Sequence, residues 1–188
     1  RRFYLGLCVT IVLLVASSAS RALAAEDARM EVRRTADGLE IRAQARVGAP
    51  AAVVWQVLTD YEHLPQFIPG ITRSVVKERR GERLIIEQTG EARFLLFTFP
   101  VEVTYEVTES PQASMSSRAI AGNLKRMAGR YDIEADGRGA RLRYAGFVDP
   151  DFDVPDFLET AALRSMVDEQ FSALVAEIER RAAAQAGK

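Results

Sequence analysis

From Leu39 to Val47 the chain alternates without a slip: Leu39, Ile41, Ala43, Ala45 and Val47 are apolar, while Glu40, Arg42, Gln44 and Arg46 are polar. A period of two places each set on its own side of a strand, so this segment has one buried face. The pattern returns in Phe97, Phe99, Val101, Val103, Tyr105 and Val107, set against Thr98, Glu102, Thr104, Glu106 and Thr108. Turn signals at Arg80-Gly81, Ser110-Pro111, Gly122-Asn123 and Asp136-Gly137-Arg138-Gly139, with a bend near Phe94, divide this part of the chain. They predict strands near 71–79, 82–93, 95–109, 113–122, 125–136 and 139–148. Pro100, which has no N–H to donate, predicts a bulge or an unpaired position at that point. Before the first strand, Asp37-Gly38 reads as a turn and Met30-Glu31-Val32 as a short additional strand.

Helical signals lie on either side of these strands. Ala49-Pro50 breaks the first strand and starts a helix, with Val54, Trp55, Val57 and Leu58 on its apolar side and Thr59-Asp60 at its end. Asp60 is positioned to cap a second short helix through Leu64, which Pro65, Pro69 and Gly70 cut off. Asp156 and Glu159 have the spacing of a capping box for a long final helix. Leu163, Met166, Val167, Gln170, Phe171, Leu174 and Ile178 then share one side, and Arg180 and Arg181 are expected in its last turns, where cations suit the helix dipole.

The N-terminus reads as an export signal. Arg1-Arg2 precedes an uncharged stretch from Phe3 to Ala16, and Ala22-Leu23-Ala24 supplies the small residues a signal peptidase requires. A membrane span needs about 20 predominantly apolar residues, and this stretch is shorter. The expectation is cleavage near Ala24 or Ala25 and a periplasmic or secreted protein; the alternatives are a retained anchor and, from the paired arginines, twin-arginine export. Loss of residues 1–24 takes Arg1, Arg2 and Arg21, leaving 22 basic against 26 acidic residues. That balance disfavours a nucleic-acid partner, which needs basic surface. Cys8, the only cysteine, leaves as well, so the remaining domain has neither disulfide nor thiol chemistry.

The element order is strand, two short helices, six antiparallel strands, long helix. A twisted sheet of that length curls, and one helix laid across its concave apolar face leaves room for a pocket. In this context Ala49 to Ile71, APAAVVWQVLTDYEHLPQFIPGI, resembles the START-like superfamily, in particular its polyketide cyclase/dehydrase and coenzyme Q-binding branch. Gly122 to Tyr144, GNLKRMAGRYDIEADGRGARLRY, and Pro155 before the last helix extend the likeness over roughly residues 39 to 182. It implies an α+β helix-grip fold: a curved antiparallel sheet wrapped around the long C-terminal helix. The domain plan is then a signal (1–24), a lead-in (25–38), the START-like domain (39–182) and a tail (183–188). Relatives of this type include lipid and quinone carriers, cyclases and ribosome-associated toxins, so the fold assigns no single activity.

Catalytic signatures are sparse. One histidine and no remaining cysteine argue against zinc. Asp149, Asp151, Asp153 and Asp156 form an acidic cluster that calcium could use, but the prolines between them favour a solvated turn. No phosphate loop, dinucleotide fingerprint or nucleophile elbow is present, and no cofactor is expected. His63, beside Glu62 and near Asp60, is more readily a surface or packing residue than a base. Cavity candidates come from the strand and helix parities: Phe67, Phe97, Phe99, Val101, Val103, Tyr105, Tyr131, Tyr144, Met166 and Gln170. The tyrosines and Gln170 can donate hydrogen bonds to a ligand oxygen; equally, the tyrosines can be core residues whose hydroxyls meet backbone or water. A register slipped by one residue would instead point Arg118 or Arg130 inward. Leu64 to Pro69 forms either a pocket lip, with transient membrane contact, or part of the core beneath the first helix. The expected function is binding or carriage of an apolar small molecule, a lipid or isoprenoid quinone. The alternatives are a cyclase or dehydratase acting on a polyketide-like or isoprenoid substrate, and a protein-interaction role.

Overall fold

The computed structural model describes residues 26–94, 97–137, 139–150 and 156–187. The expected signal, the tip of the Phe94 bend and Asp151 to Pro155 therefore lie outside the described residues. The strands are β1 (Glu26–Thr35), β2 (Gly38–Val47), β3 (Ile71–Arg80), β4 (Arg83–Phe94), β5 (Phe97–Ser110), β6 (Ser114–Gly122), β7 (Leu124–Asp136) and β8 (Gly139–Pro150). The helices are α1 (Ala51–Leu58) and α2 (Asp156–Ala186), with a 3-10 segment at Tyr61–Gln66. All eight strands join one antiparallel sheet in the order β1-β2-β8-β7-β6-β5-β4-β3, over which the long helix lies. This is the α+β helix-grip fold.

The lead-in is a ten-residue strand, much longer than Met30–Val32. Its sequence hides this because β1 is an edge strand. Pairing with β2 from Glu26↔Arg46 to Thr35↔Gly38 holds it, together with the Arg33–Glu40 ion pair at 2.6 Å, and it needs no alternating apolar face. Pro100 lies in an unbroken β4–β5 ladder opposite Glu91, whereas on its other side the β5–β6 ladder begins only at Val103. Its missing N–H thus falls on an edge without a partner strand. Arg118 and Arg130 pair with Glu106 and Asp132 on exposed surface, so the inward parity is the apolar one.

Two expected end effects give way to side-chain ion pairs. Asp60 makes no side-chain cap; its carboxylate binds His63 Nδ1 at 2.5 Å and Arg181 at 2.8 Å. Charged partners hold a carboxylate more strongly than a backbone N–H does. Arg180 and Arg181 lie in the turn before the last, since α2 continues to Ala186, and both bind Glu177 at 2.6 Å.

Among the described residues the buried apolar side chains, Val103 apart, fall into three clusters. The largest joins Ala43, Ala45 and Val47 of β2 and Leu142 of β8 to Val54 and Val57 of α1 and to Phe171, Leu174 and Ile178 of α2. A second, Tyr61, Leu84, Ile86 and Val107, lies where the 3-10 segment meets β4 and β5. The third is Leu39, Ile41 and Val148, with Leu163 and Val167 of α2 packed on it. The α2 stripe is buried at Phe171, Leu174 and Ile178, but only half-buried at Leu163, Met166, Val167 and Gln170.

Candidate functional site

Three tyrosines occupy the borders between these clusters. Tyr131 and Tyr144 fringe the first, Tyr144 also fringes the third, and Tyr105 fringes the second. The β7–β8 ladder, regular from Arg126 to Asp136, sets Tyr131 directly opposite Tyr144, with ring centroids 4.6 Å apart at 39°. In the adjacent inward row Gly129 faces Gly146. A Cβ on Gly146 would lie 2.4 Å from the Tyr144 hydroxyl, and one on Gly129 would lie 2.7 Å from it. The Tyr144 ring therefore lies along the sheet, over a floor that two glycines keep bare. From β5, the Tyr105 hydroxyl reaches the Met127 sulfur at 3.5 Å.

The environment keeps these phenols neutral. Burial raises all three above the ordinary tyrosine value, Tyr144 to about 12. Beyond burial, Tyr144 pushes Tyr105 up, and Tyr144 and Tyr105 push Tyr131 up. Phenols held this way donate hydrogen bonds at neutral pH and do not accept a proton as a base. Each of the three residues nevertheless keeps some accessible surface. Among the described residues, the Tyr131 and Tyr144 hydroxyls have no hydrogen-bond partner, and no fully buried side-chain oxygen or nitrogen lacks one. Those two oxygens therefore keep some accessible surface.

The other candidates divide into groups. Val103 is buried, and Phe99, Val101 and Met166 are half-buried; the Phe97 side chain lies outside the described residues. Gln170 spends its amide on the fold, donating to the Pro69 carbonyl at 3.0 Å. Phe67 packs on the first cluster with the Arg181 guanidinium 5.3 Å from its ring centroid. Leu64 packs against the first two clusters and Ile68 is buried, so this segment is drawn into the core. Tyr61 donates to Glu109 at 2.8 Å, and Glu109, although 8% exposed, also receives Arg79 at 3.0 Å. Among the described residues no cluster of His, Cys, Asp and Glu is placed to hold a metal ion.

Sequence reasoning passed over Gly129, Gly146 and Met127. Their signal was available: two glycines within strands, both on the tyrosine parity, mark a close approach. Which ring approaches depends on the register between β7 and β8.

The ion cluster that joins α2 to the 3-10 segment has a pH signature. Hydrogen bonding by Arg180 and then Arg181 outweighs burial and holds Glu177 at about 2, against an ordinary 4.5. Asp60 is also lowered: burial opposes this, but His63 and Arg181 prevail. A depressed carboxylate contributes stability that is complete above its unfolded value and lost as pH falls toward the folded one. The melting temperature is therefore expected to fall between pH 4.5 and about 2, and Glu177→Gln to flatten that fall. An unchanged acid limb in thermal scans of the variant would refute the assignment.

Residues 38–183 match the family described as "Polyketide cyclase / dehydrase and lipid transport". No curated protein matches the chain at a significant level. Among solved structures, a STAR-related lipid transfer protein fragment from Xanthomonas axonopodis is similar with a TM-score of 0.66 and 18% identity, covering 84% of this chain and 96% of that one. The ZhuI aromatase/cyclase from a Streptomyces species has a TM-score of 0.64 at 13% identity, covering 83% and 96%. A START superfamily protein from Mycobacterium smegmatis has a TM-score of 0.60 at 15% identity, covering 78% and 98%. At these identities the likeness is one of fold.

Proposed function

Because the chain belongs to the polyketide cyclase/dehydrase and lipid transport family, we propose that it binds and carries an apolar small molecule, a lipid or isoprenoid quinone, outside the cytoplasm. One observation carries this reading: Tyr131 and Tyr144, at the borders of apolar clusters, carry partnerless, neutral hydroxyls that keep accessible surface. Such a lining suits a ligand with an apolar body and an oxygen that accepts hydrogen bonds. Each buried methylene contributes about 0.8 kcal/mol, so a ten-carbon stretch supplies roughly 8 kcal/mol gross before ordering and association costs. Export follows from the residue 1–24 pattern, and transient membrane contact during loading belongs to the same reading. Protein purified from its native host is expected to release lipid on organic extraction. Mass spectrometry of a clean extract would count against carriage.

The second reading is a cyclase or dehydratase. The three phenols favour it to the extent that they can polarise a carbonyl, but at neutral pH they donate and supply no base. Combined replacement of Tyr105, Tyr131 and Tyr144 by phenylalanine separates the two. A carrier keeps most of its binding, whereas an enzyme loses turnover.

A further inference from the structure

The β6–β7 hairpin does not close. Its ladder runs from Ser114↔Asp132 to Arg118↔Ala128 and stops. Beyond it, Ala119 to Gly122 follow β5, with Ala119 opposite Tyr105 and Gly122 opposite Val103. Leu124, Arg126 and Met127 follow β8 instead, opposite Pro150, Asp149 and Val148. The wall is thus split between two strands that are consecutive in the chain.

Particular side chains hold the split open. On the β5 side, Asn123 takes the place of a strand: its Oδ1 accepts from the Glu102 N–H at 2.9 Å, and its Nδ2 donates to the Pro100 carbonyl at 2.7 Å. Gly122 makes that approach possible, with a φ of 125° and the Glu102 carbonyl 2.0 Å from where a Cβ would stand. Opposite, Arg126 donates to the Asp37 carbonyl at 2.7 Å and to Asp149 at 3.3 Å, tying the start of β7 to the β1–β2 turn. These bonds pull the two strands in opposite directions. A hairpin without them would continue its ladder to the turn, because unpaired backbone groups are costly.

The split opens beside the tyrosine site. Tyr105 and Met127 lie on opposite sides of the split, and their 3.5 Å contact spans it. The bare Gly129–Gly146 floor beneath Tyr144 begins in the next inward row. Among the described residues Ile120 is the one large apolar side chain left exposed, at 48%, and it lies on the split margin of β6. A methionine that bridges a gap can swing aside with little strain, since its side chain is unbranched and flexible.

We propose that the split between β6 and β7 is a portal through which a flexible apolar chain enters the tyrosine-lined space, with the Tyr105–Met127 contact as its closure. The proposal rests on the apolar-ligand reading. Its test uses the chain with Cys8 replaced by alanine and Ile120→Cys introduced, the new thiol carrying a bulky polymer maleimide. A matched adduct at Ala183→Cys, on exposed α2 surface, is the control. A single-chain fluorescent fatty acid delivered from phosphatidylcholine vesicles reports uptake and release. The adduct at position 120 is expected to slow both rates on the order of tenfold while leaving Kd within about twofold, and the control adduct to leave both rates unchanged. Saturable binding with unaltered rates at position 120, or equal slowing by both adducts, overturns the portal alone. Absence of any saturable uptake by the unlabelled protein overturns the ligand reading and the portal with it.

Discussion

Glu109→Ala is expected to lower the melting temperature by roughly 4–12 °C, among the largest losses open to a single polar substitution in this molecule. Glu109 lies at the end of β5 and is 8% exposed, and it accepts the hydroxyl of Tyr61, itself 5% exposed. Removing it leaves that hydroxyl with only the Met115 sulfur at 3.1 Å. Loss of a buried hydrogen bond to a charged acceptor costs about 1.5–3 kcal/mol, and trimming the buried side chain adds to that. The Arg79 contact adds little, because that side chain is half exposed and screened by water. Burial, then Glu109, raises the Tyr61 pKa, which marks the phenol as a committed donor. Glu109→Gln retains an acceptor and should recover at least half of the loss. An alanine variant that melts with the parent would show that the 3-10 segment does not depend on this bond.

Gly146→Ala is expected to cost about 1–3 kcal/mol through overpacking alone. Gly146 is not among the glycines with positive φ, so backbone strain does not enter. The new methyl would stand 2.4 Å from the Tyr144 hydroxyl and 2.7 Å from the ring carbon that bears it. The ring cannot retreat toward β7, where Gly129 is already within contact distance. A double-mutant cycle isolates the effect: with Tyr144→Leu the ring tip is gone, and the alanine should cost at least about 1 kcal/mol less. Costs that add within about 0.5 kcal/mol would mean that Tyr144 does not rest on this floor.

Several elements are legible in the chain for a physical reason. The apolar faces of β2 and β5 can be read because one side of each strand is dry, which imposes a period of two. The α2 stripe can be read because a helix covering a sheet must show an apolar side every three or four residues. β1 is much less legible, since an edge strand is held by backbone pairing and surface charge. The fate of Asp60 is illegible as well: a local cap and a salt bridge to Arg181, 121 residues later, require the same side chain.

The sequence by itself determined the fold class, because period-two strands closed by one amphipathic helix leave few ways to bury their faces. It also determined that Tyr105, Tyr131 and Tyr144 point inward, through parity alone. Only the tertiary structure decided how those rings meet. Tyr144 lies over Gly129 and Gly146 because the β7–β8 register aligns them, and register is a relation between segments that no single segment carries. The parting of β6 from β7 likewise depends on Asn123 reaching Pro100 and Arg126 reaching Asp37, residues 23 and 89 positions away. Local pattern sets which face a side chain takes; long-range pairing sets what it meets there.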